Sequence, residues 1–232
     1  MHGHARAVTT VIFLVGIGIL LYAIMQAVPL GQAPMQVGQA IAARAAEETG
    51  AANIVAAILL GYRGFDTLGE VTILFVAATA AGLVLSGAGA GEAQTRPSGY
   101  ILRVAAYMLF PFLLMLGAYI ILHGHLTPGG GFQGGAILAA AFFVPLLANP
   151  ASPLNHTVAM VVEGFAGAAF VLIGIVSLGW GEAFLTPFLG HGTLGSLASA
   201  GSLPLLYLAI GLKVGSELAG LIDRVAGNGA VQ

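Results

Sequence analysis

The chain has 232 residues, of which 58% are hydrophobic and only 7% are Asp, Glu, Lys or Arg, against roughly 25% charged residues in soluble globular domains. A water-soluble domain of that composition could not cover its surface, and a formal net charge of -2 offers neither a basic field for nucleic acid nor a strongly acidic one. The absence of cysteine also excludes disulfide scaffolds, thiolate zinc sites, iron–sulfur ligation and cysteine nucleophiles, so no cofactor and no nucleic-acid partner is expected.

A bilayer core about 30 Å thick takes about 20 apolar residues in a helix, and six segments qualify: 8–28, 67–87, 104–122, 131–148, 158–179 and 203–222. The sequence therefore predicts an all-α, polytopic helical membrane protein. The first segment follows Arg6, but its apolar run exceeds that of a signal peptide and no cleavage site follows, so it is expected to remain as a helix. Residues 48–62, with Ile54, Val55, Ile58, Leu59 and Leu60, are apolar but too short to span, and predict a half-helix or interfacial helix.

In the string GYRGFDTLGE (61–70), a helix continuous from Asp66 puts that residue and Glu70 on one face, next to Arg63. The alternative is a helix start with Asp66 or Thr67 as N-cap and Glu70 in the first turn; both readings stand. The Gly/Ala-rich stretch GAGAGEAQTRPS, with Pro97, marks a linker placed at 89–99, between modules at 1–88 and 100–232. Pro111 predicts a kink in the third span, Pro145 interrupts the fourth, and Pro204 sits at the start of the sixth, where it costs little.

The loop string HGHLTPGGGFQGG (123–135) lacks the GK[ST] ending of a phosphate loop, and the i,i+2 spacing of His123 and His125 is poor for a helical metal pair. A tight turn at the outer interface is expected, no metal is expected, and His123 is a candidate relay group because imidazole titrates near neutral pH. His156 and His191 fall in loops with no evident partner and receive no role.

Charges inside a membrane helix are costly and functional by default. Lys213 lies about 15 Å into the sixth span, with Glu217 one turn later on the same face. Glu163, five residues into the fifth span, and Glu217, five before the end of the sixth, fall about 8 Å from the same boundary. If those helices are neighbours, two carboxylates share Lys213 or a proton; the alternative is a pair that merely neutralises itself. The opposite face of the sixth span carries Gly211, Gly215 and Ala219 at close-packing spacing. An alternating path gathers Arg6, Arg96, Arg103 and Arg224 on one side, leaving Arg44 opposite and Arg63 near a boundary, which predicts cytoplasmic termini in a cell inner (plasma) membrane.

The strings HGHLTPGGGFQGG, VVEGFAGAAFVLIG and GSLPLLYLAIGLKVGSELA make residues 99–221 resemble the MnhB/MrpB subunit family of multisubunit cation/proton antiporters. EETGAANIVAAILLGYRGFDTLGE, within residues 45–85, is similar to the membrane-bound hydrogenase E-type module, itself related to the C-terminal end of the large Mrp subunit. Family members often carry Asp-Phe-Arg where this chain has Gly61, Tyr62 and Arg63; Arg63, Asp66, Glu70, His123, His125, Glu163 and Lys213 stand at matching positions.

The resemblance implies a fusion of two adjacent membrane-arm subunits, in an Mrp antiporter or a complex related to respiratory complex I. It further implies other membrane subunits and the lipid bilayer as partners, and Na+ and H+ as transported ions. Glu163, Lys213, Glu217, Asp66, Glu70, Arg63 and His123 are the candidate ion-pathway residues, in a subunit without catalysis of its own. The alternative is a structural scaffold whose buried charges lock helices. An intramembrane enzyme is disfavoured because His123 and His125 fall on the opposite side from Glu163.

Overall fold

The computed structural model describes residues 2–27, 36–87, 99–149, 154–180 and 183–225. Among them the regular structure is helical, with no strand. The chain divides into two compact units, Met1–Ala40 and Ile41–Gln232. The first holds α1 (His2–Ala27) and the first residues of α2 (Gln36–Thr49). α1 is apolar on all sides and every side chain described on it is exposed, the pattern of a helix whose surroundings are lipid or other protein.

In the second unit, the rest of α2 leads to a break at Gly50–Asn53. A short α3 (Ile54–Ala56) runs into a π-helical segment (Ala57–Tyr62) and then α4 (Gly64–Gly87). α5 (Tyr100–Leu122) and α6 (Gly131–Ala148) form a hairpin, followed by α7 (His156–Trp180) and α8 (Leu203–Val225). Among the described residues, six helices are long and apolar enough to cross a membrane: Arg6–Ala27, Gly64–Leu85, Tyr100–Leu122, Gly131–Ala148, His156–Trp180 and Leu203–Val225. The chain is a multi-pass membrane protein.

α8 occupies the centre of this unit, with α4, α5, α6 and α7 packed around it. Half of its most apolar window is buried within the chain, against 17% for α4, α5 and α7, so those three leave most of their surface to lipid or neighbours. Close approach depends on glycine. A Cβ on Gly135 would stand 2.8 Å from the Gly211 carbonyl oxygen, and one on Gly215 would stand 3.2 Å from Leu138 Cβ. The small-residue face of α8 thus packs on α6 and leaves the opposite face for polar groups, as expected of this spacing in a membrane.

Two local expectations need correction. Residues 48–62 are not one half-helix: α2 ends at Thr49, and Gly50 takes φ +71°, where a side chain would be strained and would also meet His191 at 2.9 Å. Asn53 then restarts the helix. Its Oδ1 accepts from Val55 and Ala56 N–H, while its Nδ2 donates to the carbonyls of Gly124 and Thr127, each at 2.8 Å. One side chain therefore caps α3 and fastens this segment to the α5–α6 turn. Neither Asp66 nor Thr67 is the N-cap of α4, which begins at Gly64; Asp66 lies in its first turn. The Thr67 hydroxyl instead donates to the Leu59 carbonyl at 2.9 Å, bracing the π segment. A Cβ on Gly61 would approach Thr49 Cγ2 to 2.8 Å, so glycine at this position allows the close pass of the end of α2. The linker at 89–98 and Arg96 lie outside the described residues.

Candidate functional site

α7 and α8 pack against each other, and Lys213 lies near the middle of α8. It is the only lysine in the chain, and its side chain is 10% exposed. The ammonium donates to Glu163 Oε1 on α7 at 3.2 Å and to Glu217 Oε2, one turn along α8, at 3.3 Å. Its third side faces the Phe75 ring of α4, 4.6 Å from the centroid, a cation–π contact that stabilises a desolvated ammonium. Three helices thus meet at one charge.

The sequence supplies the room as well as the groups. Gly167 lies one turn beyond Glu163 on the same face of α7, and a Cβ there would stand 3.2 Å from Lys213 Cδ. The lysine stem crosses α7 at that glycine. Beside it, between α4, α7 and α8, is a cavity of about 120 Å³ whose polar lining is Lys213 and Thr72.

One cation and two carboxylates give the cluster a formal charge of -1. Glu217 is 3% exposed, and its Oε1 is buried with no hydrogen-bond partner among the described residues. A buried carboxylate oxygen without a donor is costly, and an unbalanced charge at membrane depth is costlier. Taking up one proton or one monovalent cation relieves both.

The other sequence-predicted residues lie elsewhere. Arg63 Nε pairs with Asp66 Oδ2 at 2.6 Å across the start of α4, with both side chains more than half exposed, and Glu70 is also exposed. Of Glu70 and Asp66, neither joins the buried cluster. His123 caps the end of α5, stacked on Tyr119 at 4.0 Å with Nδ1 3.0 Å from the Tyr119 carbonyl oxygen. His125, two residues on, is fully buried: Nε2 lies 3.4 Å from the Ser196 carbonyl oxygen, and Nδ1 has no partner among the described residues. Burial pushes the His125 imidazole below its ordinary pKa, partly opposed by the Ser196 carbonyl. Among the described residues, no group of three or more His, Cys, Asp or Glu is placed to hold a metal.

Several contributors carry little signal in the sequence. Phe75 has no mark among many apolar residues, whereas Gly167 could have been found from its i,i+4 relation to Glu163. His156, without an evident partner in the sequence, lies at the start of α7 with Nε2 2.8 Å from Oδ2 of Asp223 near the end of α8. The separation is that of a hydrogen bond, although its angle is not. Asp223 is 1% exposed.

Residues 101–220, just over half of the chain, match the family described as a domain related to the MnhB subunit of Na+/H+ antiporter. The chain belongs to the MnhB-related family. Residues 4–86 of this MnhB-related chain match a second family, MbhE of the MBH complex. The chain is 32% identical over 196 residues to an uncharacterized protein of Methanocaldococcus jannaschii, covering 73% of this chain and 74% of that one. It is 31% identical over 101 residues to the B-type Na+/H+ antiporter subunit of Bacillus subtilis, covering 42% of this chain and 71% of that protein. Among solved structures, a chain of the membrane-bound sulfane sulfur reductase, an archaeal respiratory membrane complex, matches with a TM-score of 0.73 and 38% identity, covering 95% of this chain and 97% of that one.

Proposed function

We propose that Glu163, Lys213 and Glu217 form a charge-exchange station of an ion-translocating membrane complex, alternately holding one proton or one Na+ beside the Lys213 ammonium. The chain is a membrane subunit of such a complex, assembled with other membrane subunits. The observation that carries the exchange is the uncompensated charge: two carboxylates on one ammonium, with Glu217 Oε1 lacking a donor. The subunit itself is non-catalytic.

Arg6, Arg103 and Arg224 favour cytoplasmic termini in a plasma membrane, and the two family matches support modules at 1–88 and 100–232 joined by the 89–99 linker. Exposed Arg63, Asp66 and Glu70, on α4 and the turn before it, are assigned to the surface at which neighbouring subunits or lipid continue the path, and His123, at the end of α5 on the same membrane face, to its rim. Glu217→Gln in the assembled complex tests the station: cation-driven proton movement in vesicles is expected to collapse with assembly intact. Unchanged transport would overturn the reading.

The structural alternative has one observation in its favour, the way Lys213 ties α4, α7 and α8 together. If that tie were its whole purpose, Glu217→Gln would loosen assembly and leave coupled transport per assembled complex unchanged.

A further inference from the structure

A second set of titratable groups lies nearer the membrane face at which α7 begins and α8 ends. Asp223 is 1% exposed, yet neither of its carboxylate oxygens has a hydrogen-bond partner among the described residues. It lines a cleft of about 310 Å³ between α5, α6 and α8, whose other polar linings among the described residues are Tyr107 and Asn155. Its neighbour across the α7–α8 contact is His156, 2.8 Å away and 43% exposed. A buried carboxylate in a cleft, backed by a half-exposed imidazole, is an arrangement that passes protons between water and an interior.

Helix geometry connects this pair to the cluster above it. His156 and Glu163 are seven residues apart on α7, about 10 Å along the axis and within about 20° of one face. On α8, Asp223 lies about 9 Å below Glu217, and Gly220 falls midway between them in height and direction. A Cβ at Gly220 would meet no atom within 4 Å, so there is open space beside α8 at the height midway between the two levels. The other charged group at this end of α8, Arg224, turns toward Gly82 of α4. Among the described residues, α6 contributes only apolar side chains to the cleft and α5 contributes Tyr107 and Phe110, while the imidazole against Asp223 is that of His156 from α7.

We propose that His156 and Asp223 form the gate through which protons from that membrane face reach Glu163, Lys213 and Glu217. A hydronium at the exposed face of His156 gives its proton to the imidazole, and Asp223 holds the resulting imidazolium. The imidazolium then passes a proton to water beside Gly220, which delivers it to the Glu163 carboxylate. His156 returns to neutral, and a Na+ leaving the cluster balances the charge. This step rests on reading the cluster as a charge-exchange station.

The test is rapid-mixing proton release from the purified, fully assembled complex after a jump in Na+, followed with a pH dye. The wild-type complex is expected to release a proton from the cluster. Asp223→Asn and His156→Gln are expected to slow that release about tenfold or more, the lower range for losing a positioned proton-transfer group, without changing its final amplitude. Gly220→Leu fills the open space without touching a titratable group and is expected to slow it likewise, which keeps the proposal testable if a charge variant fails to assemble. Wild-type rates in Gly220→Leu and in the assembled charge variants would overturn the gate and leave the cluster standing. A wild-type complex that releases no proton would overturn the cluster reading and the gate with it.

Discussion

Replacing Glu163 with Gln separates the charge of the cluster from its geometry. Glutamine keeps a carbonyl oxygen where Glu163 Oε1 accepts from Lys213 at 3.2 Å, so the contact can persist while one negative charge is lost. The gross attraction at that distance is about 5 kcal/mol for an effective dielectric of ~20. Glu163 is 23% exposed, and the net loss is nearer the difference between a charge-assisted and a neutral hydrogen bond, about 1–2 kcal/mol. That is small against the packing of α7 on α8, so the complex should still assemble. The formal charge, however, moves from -1 to zero, and the remaining Lys213–Glu217 pair no longer requires a proton or cation. Cation-driven proton movement by vesicles containing the whole complex is expected to fall about tenfold or more, since each 1.36 kcal/mol is about tenfold in rate. Transport within twofold of wild type, with Glu163→Gln fully assembled, would refute the charge argument.

Other substitutions probe the supports of the site. Gly167→Ala places a methyl 3.2 Å from Lys213 Cδ and should cost on the order of 1 kcal/mol by overpacking, whereas Gly167→Leu should displace the ammonium and mimic loss of Lys213 in the vesicle assay. Asn53→Ala removes a helix cap and two donated hydrogen bonds, together about 2–4 kcal/mol, and should appear as faster limited proteolysis at the 50–53 break. Because burial holds the His125 pKa below its unfolded value, the unfolded chain binds that proton first as pH falls. Its stabilisation is therefore present above about 6.5 and declines as pH drops below that value. Thermal unfolding of the complex should show this slope, and His125→Gln should lessen it.

How much of this was legible in the sequence varies with the range of the interactions. The six spans follow from apolar run length, a local property, and the helices match them to within a few residues at each end. The break at Gly50–Asn53 could not be read, because it is set by partners far along the chain: the Gly124 and Thr127 carbonyls and His191. Glu217 and Lys213 were readable as an i,i+4 pair on one helix. Their meeting with Glu163 was readable only if α7 and α8 proved neighbours, and Phe75, a ring contributed by α4, had no sequence signal. The His156–Asp223 pair escaped for the same reason: each residue ends a different helix, and only the antiparallel packing of α7 and α8 brings them together.

The most direct test is the number of protons the assembled complex releases when Na+ is added, compared between wild type and Glu217→Gln across pH. A cluster with a formal charge of -1 that exchanges a proton for Na+ predicts that, where the site is protonated, the wild type releases one proton more than the variant. Equal release at every pH, with both complexes intact, would contradict charge exchange at Glu163, Lys213 and Glu217.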